Sequence, residues 1–337
     1  MEETIMLKLA IHSPNFEDGT SFYRASGPFS ALRKEAGIDI VFLSKWTAAT
    51  VSLVDVVLIQ RPYDDTAVQI AQIAKLAGRP VVVDYDDDVF AVGMSHPFAH
   101  VYNSYQVKSN VQTCLALADA VFVSTQKLKE VLAAKTKTPI YVIPNALDFS
   151  LPVVKARKVE NPNPIVVFRG SASHEKDLLE VSVEIIDVFR ANPQIQFHAI
   201  GYLPWFIAEC LPQSQFQFTP WADPFIYLQK LAELRPKLVI HPLEKNPFNE
   251  SKSNCSWLEA TMAGSPFLTR NLPEFAQPGC LTYNTPDEFK EAFEKVIKDE
   301  YPAEELVEKS WQRVIEAYDL KKVNVQRLEV LYSLVGH

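Results

Sequence analysis

The 337-residue chain holds only four cysteines and ten glycines. Cys114, Cys210, Cys255 and Cys280 stand far apart with no CxxC pair, so neither a zinc site nor a disulfide framework is expected. The glycine pattern is neither GxGxxG nor a P-loop, which removes the two commonest phosphate signatures. Long apolar runs are missing as well. "VSLVDVVLIQ" is interrupted and far shorter than the roughly 20 residues a membrane helix needs. The start, "MEETIMLKLAIHS", is acidic and lacks the basic region of a secretion signal. No short repeat or low-complexity segment occurs. Positive charge is in deficit, with 33 Lys and Arg against 41 Asp and Glu. That disfavours general nucleic-acid affinity while leaving a local basic cleft open, with Lys8, Arg24, Arg33, Lys34 and Arg61 as candidates for one. These exclusions point to a reducing cytoplasm and a protein without a transmembrane segment.

What is present is alternation. "MLKLAIHS" (6–13), "IDIVFLS" (38–44), "DVVLIQ" (55–60), "PVVVDY" (80–85), "AVFVST" (120–125) and "PIYVIP" (139–144) read as buried strands. Between them, "SGPFSALRKEAG", "DTAVQIAQIAKLAG" and "STQKLKEVLAAKTK" carry apolar residues at helical spacing. A segment rich in Pro, Asn and charge follows, and then the alternation resumes. The second series has strands "IVVFRG", "IQFHAIG", "KLVIHPL" and "PFLTR" and helices "HEKDLLEVSVEIIDVFRAN", "DPFIYLQKLAEL" and "NCSWLEATMAG". The expectation is two α/β Rossmann-like domains facing across a cleft: an N-terminal domain (1–150), a linker (151–163), a C-terminal domain (164–310) and a helical tail (311–337) that packs back on the first domain. Ligands in such sheets bind beyond the carboxyl ends of the strands, so function is sought there.

Three stretches carry chemistry. "PVVVDYDDDVFAV" (80–92) sets Asp84, Asp86, Asp87 and Asp88 at the end of a strand. It reads as a metal-binding Asp-x-Asp, an acceptor-side carboxylate cluster, or a capped loop. "VVFRGSASHEKDLLE" ends a strand at Gly170-Ser171 and starts a helix after Ser173. Small residues and free N–H groups there suit a diphosphate, with Arg169, His174 and Lys176 nearby; the plain alternative is a helix capped by Ser173. "HPLEKNPFNESKSNCSWLEATMAGSPFLT" (241–269) puts Asn249, Lys252, Ser253 and Asn254 before a helix containing Glu259. Lys252 opposes the helix dipole unless an anion lies between them, and Glu259 suits a pair of ribose hydroxyls. Arg24 reads first as a surface ion pair and only second as a group reaching a phosphate or an acidic acceptor.

The block "WLEATMAGSPFLT" resembles the "LEAMAxGxPV" signature of retaining GT-B glycosyltransferases of the large sucrose-synthase-like (glycosyl transferases group 1) family. "VIPNALD" (142–148) is similar to that family's "IPNGVD", and "LADAVFVST" (117–125) to its "ADxVIxxS". The resemblance implies a nucleoside-diphosphate sugar, a UDP-sugar foremost, as co-substrate on the second domain, with no tightly bound cofactor and no metal. It puts the diphosphate at Gly170, Ser171 and His174, neutralised by Arg169, Lys176 and Lys252, and the ribose on Glu259. The nucleobase falls to Trp221 unless that residue is core. Asn249 and Ser253 complete the donor set. Eight positions before Glu259, where the family has the first acid of its E-x7-E motif, this chain has Ser251. The first-domain Gly-Gly loop is likewise reduced to Gly19, followed by Tyr23 and Arg24. Asp84, Asp86 and His174 are the candidate catalytic residues, and Gly19, Tyr23, Arg24 and Asp87 the candidate acceptor side. The acceptor itself stays open among small molecules, glycans, proteins and hydroxymethylated DNA bases. A catalytically silent sugar-nucleotide binder and a sugar-nucleotide epimerase or hydrolase are the competing readings.

Overall fold

The computed structural model describes residues 6–35, 38–41, 43–157 and 163–336. Most of the expected linker is described, but its residues 158–162 and the helix end at Gly37 lie outside that set.

Two six-stranded sheets, parallel throughout, make up the molecule. The first contains β1 (Lys8–His12), β2 (Asp39–Val41), β3 (Val56–Gln60), β4 (Val81–Tyr85), β5 (Ala120–Val123) and β6 (Ile140–Val142), in the order β2-β1-β3-β4-β5-β6. The second contains β7 (Asn163–Arg169), β8 (Gln196–Gly201), β9 (Phe216–Pro220), β10 (Pro236–His241), β11 (Phe267–Arg270) and β12 (Cys280–Tyr283), in the order β12-β11-β10-β7-β8-β9. This is the expected α/β architecture of two Rossmann-like units. In each sheet the chain order reverses once, between β1 and β3 and between β7 and β10. Those are the switch points where neighbouring loops part and leave a crevice.

The strand composition explains the layering. Every residue of β3 and β4 is buried, because helices cover both faces of the sheet. Alternation then sends Val57 and Ile59 into one core and Val56 and Leu58 into another. Helices Asp65–Leu76 and Tyr105–Leu117 close the first core through Ile70, Ala71, Val111 and Cys114. Helices Ser26–Glu35 and Leu320–Leu334 close the second through Phe29, Leu32, Val323 and Leu331. The last helix of the chain is thus part of the first sheet's core. Helix Ala303–Ala317 instead lays Trp311 and Val314 beside Trp257 in a core of the second unit, and it runs through residue 310 without a break.

Two strands escaped the sequence pattern, as did helix Tyr105–Leu117. Edge strand β9 buries only Phe216, and β12 has four residues, so neither shows the Val/Ile run of a strand covered on both faces. The single helix expected over 174–192 is broken. A 3₁₀ turn (Ala172–His174) precedes helix Glu175–Leu179, and Ser182–Ala191 follows after a turn that buries Val181 and sets Glu180 against Arg270.

The chain crosses between units twice, and the crossings touch. Leu147 N donates to Tyr318 O and Leu320 N to Leu147 O, both at 2.9 Å. Two backbone segments thus lie bonded side by side where the chain passes between the units.

Candidate active site

The carboxyl ends of both sheets border one cleft of about 870 Å³. Its first wall comes from the β1 and β3 ends and the loop after β4. Asp18 caps the short helix Gly19–Arg24 through Ser21 N, placing Gly19, Thr20 and Tyr23 on the wall. Arg61, in the left-handed region at φ 49°, clamps Asp86 with Nε–Oδ1 2.8 Å and Nη2–Oδ2 2.7 Å. It also reaches Asp87 at 3.3 Å and Asp18 at 3.9 Å. Burial works against the Asp86 charge, but the Arg61 guanidinium more than offsets it and holds the carboxyl below the usual carboxylate range.

The second wall is built on β7 and helix Cys255–Ala263. Glu259, 3% exposed, accepts three hydrogen bonds: Arg169 Nε at 2.7 Å and Tyr227 OH at 2.9 Å on Oε2, and Tyr23 OH at 3.0 Å on Oε1. A buried carboxylate needs such partners. Burial, with the Glu259 charge beside them, pushes both tyrosine hydroxyls well up, so both remain donors. The Tyr23 bond crosses the cleft, as does Asn145 Nδ2 to Ser253 Oγ at 3.0 Å and Cys255 Sγ at 2.9 Å. Above them Gly170 and Gly201 meet backbone to backbone. Gly201 has φ 90°, and a Cβ there would lie 2.5 Å from Gly170 O. A Cβ on Gly170 would lie 2.9 Å from both His174 Cδ2 and Phe168 Cζ. Only glycine permits this packing at either position.

Behind Gly170, His174 Nδ1 bonds Asp177 Oδ2 at 2.9 Å, and its ring lies 4.8 Å from that of His241. Burial lowers the His174 pKa, although Asp177 pulls the other way, and burial drives His241 well down. Both shifts favour the uncharged rings. His174 also borders a second recess of about 530 Å³ between loop 91–96 of the first unit and segment 244–252 of the second.

Several expected site residues stand elsewhere. Asp84, a candidate catalytic group, does not reach the cleft. Its side chain is 1% exposed and pairs at 2.8 Å with Arg24 Nη2, itself 0% exposed. Arg24 lies at the cleft floor, but its donors go to Asp84, to the Ile143 carbonyl and to Asn145, so it offers no free cation to an acceptor. Asn249 serves Asp177 with its amide at 2.8 Å and faces the second recess. Lys176 pairs with Glu244 at that recess. Lys252 lies 3.9 Å from Asp87 and over the Phe248 ring, where a carboxylate rather than an incoming anion answers its charge. Ser171, not Ser173, caps the turn, and the helix it leads to has five residues, too few for a strong dipole. Trp221 is no core residue: it is 63% exposed on the cleft rim. Ser251 is fully buried, its Oγ on the Pro247 carbonyl and its own carbonyl held by Thr125. Arg169, Gly170, Ser171, His174, Ser253 and Glu259 do share the cleft with Gly19, Tyr23, Asp86 and Asp87.

Tyr227, Asn145, Asp18 and Asp177 were not singled out from the sequence. Asp18 and Asp177 had a local signal, an acid in or before the first turn of a helix. Tyr227 had none, because a tyrosine among leucines in "FIYLQKLAEL" reads as core. Among the described residues, no group of three His, Cys, Asp or Glu side chains is placed to share a metal ion.

No protein-family model matches the chain, and no curated protein sequence does. Solved structures match over most of its length. Anabaena HepE in complex with UDP-glucose superposes with TM-score 0.68 at 16% identity, over 97% of this chain and 100% of that one. A glycosyltransferase from Rickettsia africae gives 0.65 at 12%, over 98% and 99%. The pneumococcal O-GlcNAc transferase GtfA, in complex with UDP and GlcNAc, gives 0.61 at 16% over 86% of this chain, which spans 60% of the GtfA chain. The fold is that of the GT-B glycosyltransferases.

Proposed function

We propose that the protein is a glycosyltransferase that moves a sugar from a nucleoside-diphosphate sugar, a UDP-sugar foremost, to an acceptor hydroxyl, with retention at the anomeric carbon and without a metal. One observation carries the reading: a single cleft, set at both switch points, joins the Arg169–Glu259–Tyr227 cluster on one wall to the Arg61–Asp86 pair on the other. Donor complexes of similar folds, HepE with UDP-glucose among them, support the donor class.

In this reading the Gly170 and Ser171 loop and the Arg169 side chain receive the diphosphate, Glu259 the ribose, and Trp221 on the rim the base. As the anomeric C–O bond breaks, charge collects on the diphosphate, where prearranged donors lower the barrier. The acceptor approaches over the first wall. Among the described residues, Asp86 and Asp87 there pair with Arg61 and, at 3.9 Å, Lys252. This suits a hydroxyl-bearing acceptor better than a polyanion, which tells against DNA. The domains divide in function as 1–150 for acceptor and 164–310 for donor.

Incubation with UDP-, GDP- and ADP-sugars and mixed acceptors, following nucleoside diphosphate release, tests this. Acceptor-dependent release is expected. A rise in melting temperature without release would mark a silent binder, and conversion of the donor sugar without an acceptor an epimerase.

A further inference from the structure

Asp177 is absent from the roles assigned above, yet it is held by as many hydrogen bonds as Glu259. Its Oδ1 accepts from Glu244 N and Asn249 Nδ2, each at 2.8 Å, and its Oδ2 faces His174 Nδ1 at 2.9 Å. Two donors on one oxygen fix the other oxygen in place, so the imidazole must turn its Nδ1–H to Asp177. Nε2 then points away from that bond. It has no hydrogen-bond partner among the described residues, while the ring, packed under Gly170, borders both the cleft and the second recess.

A diphosphate held at Gly170 and Ser171 brings charge that the five-residue helix behind them cannot balance. Arg169 meets part of that charge but shares its own with Glu259 through Nε, Lys176 pairs with Glu244, and Lys252 stands by Asp87. His174, packed directly under Gly170, is a further group beside the loop that can acquire positive charge. We propose that Asp177 is a positioning residue that turns His174 toward the donor diphosphate and lets it bind as imidazolium, so that the nucleoside diphosphate enters with one proton taken from solvent. The proposal rests on the sugar-nucleotide reading of the cleft. The proton moves from water to Nε2, and the imidazolium is then held between the Asp177 carboxylate and a phosphate oxygen.

The groups facing the ring set the titration. Burial and the cations Arg169 and Lys252, with the neutral His241 ring behind, disfavour charge in the empty site, whereas Asp177 favours it. An arriving diphosphate reverses the balance. Over the interval between the two titrations, the UDP dissociation constant rises about tenfold per pH unit. Asp177→Asn gives a distinct signature: the side-chain amide N–H that it introduces favours the tautomer with hydrogen on Nε2, which still donates to phosphate but no longer stabilises a charge.

Calorimetric titration of UDP into the protein at pH 7.5, in buffers of different ionisation enthalpy, counts the protons. Uptake approaching one is expected for the native protein and near zero for Asp177→Asn and His174→Gln, with uridine giving none. His174→Gln also corrects for the phosphate's own titration, and it keeps the test decisive if Asp177→Asn fails to fold. UDP binding without uptake, or uptake unchanged in His174→Gln, overturns the proposal and leaves the sugar-nucleotide reading intact. Absence of binding by UDP, GDP and ADP overturns both.

Discussion

Arg24 and Asp84 show how one side chain's environment decides its role. Nothing in "YRAS" or "VVVDYD" separates a surface ion pair from a buried one, yet the pair is fully enclosed. Burial pushes the Asp84 carboxyl up while Arg24 opposes it. Removing one partner strands a buried charge, so Arg24→Met should cost about 3–5 kcal/mol in urea unfolding. Joint replacement with Asp84→Leu should cost less than the single change; an additive double mutant would refute the coupling. The histidines make a second residue-scale prediction. His12, His96, His174, His198 and His241 all titrate below their ordinary value, with burial as the leading cause. Below pH ~6.5 the unfolded chain binds more protons than the folded one, so stability is full above that value and falls as pH drops. Asp84, Asp88 and Glu274, raised by burial, act in the opposite sense but from the lower carboxylate range. The unliganded protein should therefore melt several degrees lower at pH 5.5 than at pH 7.5, and an equal or higher melting point at pH 5.5 would contradict this account.

Among the elements, the turn after β7 matters most. Its helix is short, so in the proposed reading the loop would receive the diphosphate through exposed amides and flanking side chains rather than through a dipole. Gly170 is the tight point, because an added methyl group meets His174 and Phe168 at 2.9 Å. Gly170→Ala should weaken UDP binding at least tenfold while the far-UV circular dichroism stays unchanged. Equal affinity in the variant would remove the loop from the donor site. The carboxyl ends of the strands were legible in the sequence because Val and Ile runs stop at them, which is why Asp86, Gly170 and Ser171 could be placed on the cleft. The break at Glu180–Val181 was not: helical periodicity continues across it, and only the packing of Val181 and Arg270 reveals it.

For the whole molecule, two walls face each other across the cleft, with Tyr23 and Asn145 reaching across, and the proposed function gives each wall its own task. Asp86→Asn should lower transfer roughly tenfold with the UDP dissociation constant changed less than twofold, as steady-state rates and calorimetry would report. Lost donor affinity, or activity that tracks added manganese, would place Asp86 with the donor or with a metal instead. Among the described residues no helix is long and apolar enough to cross a membrane.

The sequence alone determined the two alternating series, the position of the loops at the strand ends and the Glu259 block, because periodicity and turn chemistry are local. Tertiary structure decided which charges survive in the cleft. Arg24 against Asp84, Arg61 against Asp86, Arg169 against Glu259 and Asn249 against Asp177 are pairings across 25 to 90 residues. A charged side chain in a partly buried cleft takes its character from whatever lies within a few ångströms, and only the packed sheets bring those partners together.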